Sequence, residues 1–262
     1  LLLWIIIIGS IVLTSCNPST GNETLPKATT ISSEGVIPPA PTNIIPPGDL
    51  PKELLLPDDL TYRGAFRLPP RVEGADDSHG WEYSGQALTF YPDSDPNGGA
   101  DGFPGSLIGT GHEVWNYVSE VSIPVPVLSK NVGDLPVAET LQDFEDISGG
   151  LFDPLVEMPR VALEYMPAQP GEESDHLYLA WGAHFQEDAA QMIPSHARSG
   201  LDLGDPQVEG AWWVDDYSLY SVNGYLFEIP ANFADSHLNG KRLAIGRYRD
   251  GGWSGMGPDL IA

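Results

Sequence analysis

Cysteine is almost missing: Cys16 is the single one in 262 residues, so no disulfide can form within the chain. Basic residues are scarce as well. Twelve Lys and Arg face 37 Asp and Glu, a formal net charge of −25. Such a surface repels phosphate backbones, which excludes nucleic-acid binding, and it repels anionic lipid headgroups. Contact with a membrane therefore calls for an anchor rather than a basic patch. Long apolar runs are missing too. The run LLLWIIIIGSIVL, Leu1 to Leu13, is about 13 residues, short of the roughly 18–20 that span a bilayer. Common catalytic signatures fail in turn. There is no G-x-S-x-G, because Gly252-Trp253-Ser254-Gly255-Met256 lacks the last glycine. His112-Glu113-Val114-Trp115-Asn116 has Asn where H-E-x-x-H needs its second His. Gly109-Thr110-Gly111 lacks the third glycine and the βαβ setting of a dinucleotide loop.

What is present begins at the N-terminus. The apolar run fits the h-region of a secretory signal, and Leu13-Thr14-Ser15-Cys16 follows it. This tetrad resembles the lipobox of bacterial lipoproteins, an aliphatic residue and two small ones before the cysteine. The resemblance implies a signal peptide over 1–15, acylation at Cys16 and a location in the cell envelope, on the membrane through the lipid. A transmembrane helix with an incidental cysteine is the plainer alternative. No Met or basic n-region precedes Leu1, and the chain stops in mid-pattern at Ala262. Both ends are therefore expected to continue in a longer product.

From Asn17 to Asp59 the chain holds nine prolines and no aromatic residue. Ile37-Pro38-Pro39-Ala40-Pro41 and Ile45-Pro46-Pro47 favour extended polyproline II. Residues 16–59 read as a tether, reaching on the order of 100 Å at ~3.1 Å per residue. Aromatics start near Tyr62, and 60–262 reads as the folded part. Tyr62 to Pro69 is expected to be its first strand. Ala87–Tyr91, Ser106–Thr110 and Tyr117–Ile123 have strand composition bounded by turn residues. Val137 to Phe144 is expected to be a short helix ended by Gly149-Gly150, and Asn232 to Leu238 another. Lys241 to Arg249 reads as a strand. Phe185 to Val222 reads as a long insertion, functional or lid-like.

Three fragments recur: ALTFYP (87–92) as ALEYMP (162–167), SLIGTGH (106–112) as LYLAWGAH (177–184), and VSIP (121–124) as FEIP (227–230). Short strands in repeats predict an all-β fold, with radial repetition as in a β-propeller and a β-sandwich as the alternative. The pattern resembles secreted bacterial proteins of uncharacterised activity with propeller-like repeats, across roughly 60–262. At ~40–50 residues per blade this implies four or five blades. Equivalence of the repeats predicts burial of Phe90, Tyr165, Ile123 and Ile229, and His112 and His184 on one face.

Asp93-Ser94-Asp95-Pro96-Asn97-Gly98-Gly99-Ala100-Asp101 matches the start of a calcium loop, with oxygen ligands at Asp93, Asp95, Asn97 and Asp101. Pro104 stands where a bidentate Glu is expected, and the same residues suit a polar hairpin turn. His112, His184, Arg247 and Arg249 are candidate catalytic groups: the histidines as acid or base, the arginines against a carboxylate or oxyanion. Histidine at a strand end can equally be a satisfied turn residue. Trp115, Trp181, Trp212 and Trp213, with Trp253, offer flat apolar faces for an extracellular glycan. Three functions follow: a lipid-anchored glycan-binding module, a polysaccharide lyase or hydrolase on the same scaffold, and a structural envelope protein.

Overall fold

In the computed structural model the chain divides into two units, residues 1–49 and 50–262. The structure describes residues 56–95, 98, 102–151, 153, 159–183, 194–217, 222, 224–247 and 259–262. Cys16 and the tether up to residue 55 lie outside them.

The described residues are mostly β, in three antiparallel sheets with one α-helix and no closed barrel. The first sheet is a meander of β1 (Leu88–Tyr91), β2 (Gly102–Thr110), β3 (Val118–Pro124) and β4 (Thr140–Glu145). The second repeats that order with β5 (Pro159–Met166), β6 (His176–Ala183), β7 (His196–Ser199) and β8 (Glu209–Trp212). In the third, β10 (Leu243–Arg247) lies between β9 (Tyr225–Glu228) and β11 (Asp259–Ile261). Helix α1 (Ala231–His237) links β9 to β10. Pro230 precedes it with extended backbone, and Ala234 is its buried contact.

Strands β5 and β6 of the second sheet are covered on both faces, and their period of two shows why. Leu163 and Tyr165 of β5, with Leu177, Leu179 and Trp181 of β6, face Ile108 and Val118 of the first sheet. The alternate residues Ala162 and Ala180 face Val222, Leu226 and Ile245. Large side chains fill one interface, and small ones let the third sheet approach the other. The first sheet buries Thr89 toward this core and leaves Leu88 and Phe90 of β1 exposed on its opposite face.

The first strands of successive sheets meet: β1 contacts β5, and β5 contacts β9. Side chains of one first strand bond backbone N–H groups of the next, which covers part of the open ladder that an edge strand otherwise presents. Tyr165 N–H donates to Thr89 Oγ1 at 2.9 Å. Thr89 Oγ1 donates to Glu164 Oε2 at 3.2 Å. Glu228 N–H donates to Glu164 Oε1 at 3.0 Å. Burial outweighs these bonds and raises the Glu164 carboxyl above its ordinary value. Neutral Glu164 thus stabilises the fold at low pH, and that contribution is lost as pH rises through the raised value.

Several expectations need correction. Tyr62 to Pro69 forms only isolated bridges, Ala65 to Val127 and Arg67 to Val137. Residues 137–144 are not helical: Thr140–Glu145 is strand β4, paired with β3. The stretch 185–222 is no insertion, since β7 and β8 complete the second sheet from within it. VSIP lies in β3, third of its sheet, whereas FEIP starts at the end of the edge strand β9 and leaves Ile229 just beyond it, so Ile123 and Ile229 are not matched positions. Ile229 is buried, but Ile123 only in part. Phe90 is 49% exposed and Tyr165 7%. Both sit in first strands, but only that of the second sheet is covered on both faces. Phe90→Ala therefore loses less than the roughly 3–5 kcal/mol of a buried ring.

Candidate functional site

Two short segments build the site at one end of the first sheet. The chain from Pro69 to Ser84 is anchored upstream where Arg67 N–H donates to Pro136 O at 2.8 Å and Ala138 N–H returns a bond to Arg67 O at 2.8 Å. This lays residues 69–81 alongside β4. The turn 111–116 follows β2 and docks on the same segment: His112 N–H donates to Gly80 O at 3.1 Å and Glu113 N–H to Tyr83 O at 3.2 Å. Glycine is required at 111, where a Cβ would stand 2.5 Å from the Phe144 ring and 2.6 Å from Gly80 O.

An aromatic surface results. The His112 ring lies 5.2 Å from Tyr83 and 4.7 Å from Trp115, centroid to centroid. Tyr83 is 76% exposed. Its backbone is left-handed at φ 57°, a conformation that costs a bulky residue about 1–2 kcal/mol. His112 Nδ1 accepts from Val114 N–H at 3.2 Å. In the neutral ring the proton therefore sits on Nε2, which makes His112 a donor.

Beside this surface opens a cleft of about 450 Å³ between residues 69–81 and β4, with Trp81, Phe144 and His79 among its walls. Trp81 packs edge-on against Phe144 at 4.9 Å. Asp76, Asp143 and Glu145 line it too, and its Arg71 is ion-paired with Asp77. Asp76 caps the 3-10 turn Asp77–His79. The Ser78 backbone N–H, then its hydroxyl, hold the Asp76 carboxyl below the usual carboxylate range.

The other sequence candidates lie elsewhere. Trp181 is 2% exposed in the core between the first two sheets, so it offers no face to a ligand. Trp212 and Trp213, 41% and 57% exposed, lie at the end of the edge strand β8, apart from the aromatic surface on the first sheet. His184, Arg249 and Trp253 fall outside the described residues, as does the Arg247 side chain. The pairing also shifts the histidine alignment. Leu88 opposes Gly109 and Leu163 opposes Leu179, so the strand position matching His112 is Gly182, two residues before His184.

In the calcium-like loop joining β1 to β2, Asp93 is exposed and Asp95 buried, while Asn97 and Asp101 are outside the described residues. Among the described residues no group of three or more His, Cys, Asp or Glu is placed to hold a metal. Sequence reasoning missed Asp76, His79, Trp81 and Tyr83. Their signal was the density of acidic, His and aromatic residues in DDSHGWEY (76–83).

No described protein family, curated protein or solved structure matches the chain.

Proposed function

We propose that this is a lipid-anchored cell-envelope protein that binds an extracellular glycan on the surface formed by Tyr83, His112 and Trp115 and in the adjoining cleft. The observation that carries this reading is an aromatic cluster, exposed at Tyr83 and partly buried at His112 and Trp115, held through Gly80 beside a cleft rimmed by polar groups. Sugar rings present apolar C–H faces and a ring of hydroxyls, and that combination matches such a site. The strained backbone at Tyr83 holds its ring out in solvent, which suits a platform. His112 has two aromatic rings and a backbone N–H as its neighbours, with no carboxylate hydrogen-bonded to it among the described residues. This favours binding over the lyase or hydrolase reading, which needs an acid–base pair.

The scaffold belongs to the same proposal. Three sheets whose first strands gather at Thr89, Glu164 and Glu228 support a radial, β-propeller-like array. A two-sheet sandwich gives no reason for a central sheet whose strands β5 and β6 are covered on both faces.

Anchoring rests on the lipobox at Cys16. Among the described residues no helix is long and apolar enough to cross a membrane. Labelling the expressed chain with radioactive palmitate is expected to mark the protein and to leave Cys16→Ala unmarked; equal label in both removes the anchor.

Binding is tested with the full chain on an array of oligosaccharides. Tyr83→Ala and Trp115→Ala are each expected to weaken capture at least tenfold; Tyr83 is exposed, so its variant is expected to keep the thermal midpoint nearly unchanged, which separates a lost contact from a lost fold. Capture of no oligosaccharide, or capture by both variants equal to that of the wild type, overturns the reading.

A further inference from the structure

We infer that the cleft beside Trp81 is a subsite that reads the hydroxyl groups of an uncharged sugar, with His79 as a fixed hydrogen-bond acceptor; this rests on the glycan reading above.

The protonation pattern follows from donor counting. The ionised Asp76 carboxylate can only accept. It takes the Ser78 N–H at 2.9 Å and the Ser78 hydroxyl at 2.8 Å, both on Oδ1. Ser78 has one hydroxyl proton, and Asp76 engages it. His79 Nδ1 lies 2.8 Å from the same Ser78 oxygen, so the ring must donate there. In neutral His79 the proton is on Nδ1, and Nε2 carries a lone pair. Ser78 is 6% exposed, which keeps water from competing for these bonds. Tyr117 packs against the imidazole at 5.8 Å and 89°, limiting its rotation. The hydroxyl, buried and doubly engaged, is no nucleophile; it sets the tautomer.

The chemistry of the walls then selects the ligand. Asp76, His79, Asp143 and Glu145 all present acceptors. Among the described residues of the lining the one cation is Arg71, and it already pairs with Asp77. A wall of acceptors takes hydroxyl donors and repels carboxylated or sulfated sugars, and the chain's net charge of −25 adds to that repulsion. Trp81 supplies the apolar face. His112, a donor in its neutral form, stands next to this acceptor wall, so a sugar bridging the two finds both hydrogen-bond senses.

The test uses the full chain and matched hexamers of neutral hexoses and of uronic acids. Neutral hexamers are expected to bind at least tenfold more tightly than their uronic counterparts. His79→Ala is expected to lose at least tenfold for the neutral hexamers. Ser78→Ala, which frees the tautomer, is expected to give a smaller loss. Nitrogen-15 NMR of the wild type reads the tautomer directly and is expected to show His79 protonated on Nδ1, whatever the folding of the variants. Uronic hexamers bound equally well, His79→Ala binding unchanged, or the proton found on Nε2 overturns the inference and leaves the glycan reading standing. Capture of no hexamer of either kind by the wild type, with none retained on the wider oligosaccharide array, overturns that reading and this inference together.

Discussion

Glu120→Ala is expected to lower unfolding stability by about 3–5 kcal/mol. Glu120 is 2% exposed, in the middle of β3. Its carboxylate is held by donors from three directions. Ser106 Oγ donates at 2.5 Å and Ser94 Oγ also donates to the same oxygen, while Gln142 Nε2 donates to the other at 2.6 Å. Gln142 carries the link onward: Nε2 also donates to Leu201 O at 2.9 Å, and Oε1 accepts from Leu203 N–H at 2.9 Å. One buried carboxylate thus joins β2, β3 and β4 to the loop that follows β7. Truncation to Ala leaves the fully buried Ser106 hydroxyl without its acceptor, at about 1–3 kcal/mol, loses the bond of the partly buried Ser94, and opens a cavity besides. Glu120→Gln keeps the volume and an acceptor oxygen, and its expected loss is smaller. Urea unfolding of the three proteins measures this. A loss below about 1 kcal/mol for Glu120→Ala would mean that the network contributes little.

The network also shows where sequence reading reached its limit. Val137 to Phe144 contains good helix formers, and its local preference is helical. Pairing with β3 and the bonds of Gln142 to Glu120, Leu201 and Leu203 override that preference. None of those partners is near it in sequence. By contrast, ALTFYP and ALEYMP were legible as a repeat because each is the first strand of a four-stranded meander, β1 and β5. VSIP and FEIP misled because an apolar residue before Pro closes many kinds of strand, at whatever place in the sheet. Phe90 and Tyr165 match in sequence and differ in burial, since burial depends on what covers the sheet and not on the strand alone. His112 and Trp115 were read as candidates, and the structure brings them together. Their companions Tyr83, Trp81 and His79 come from a segment with hardly any regular structure, whose position depends on the bridges at Ala65 and Arg67. Those contacts leave no periodic mark in the sequence.

A second buried polar residue, His196, weakens the fold as the pH falls. His196 in β7 is 7% exposed and lies between Ala180 of β6 and Trp212 of β8. Its Nδ1 meets Ser195 Oγ at 2.8 Å. Its Nε2 has no hydrogen-bond partner among the described residues. Burial disfavours the charged ring and brings its pKa from the ordinary 6.5 down to about 4. The unfolded chain takes up this proton near pH 6.5, while the folded chain resists it until about pH 4. Between those values the unfolded state binds more protons, so stability falls as the pH is lowered, and below about pH 4 the effect levels off. The span corresponds to about 3 kcal/mol at 1.36 kcal/mol per pH unit. Glu164 acts in the opposite sense, because its raised value favours the fold on the acid side. Raw acid denaturation therefore mixes the two, and a comparison with His196→Leu separates them. Leu removes the titrating ring and the unbonded Nε2 while keeping an apolar side chain of similar bulk. Unfolding free energies at pH 7, 5.5 and 4 are expected to show the wild type losing about 3 kcal/mol relative to His196→Leu across that range. A constant difference between the two proteins would mean that His196 is protonated alike in the folded and unfolded chains, and that β7 is open to water where the structure closes it.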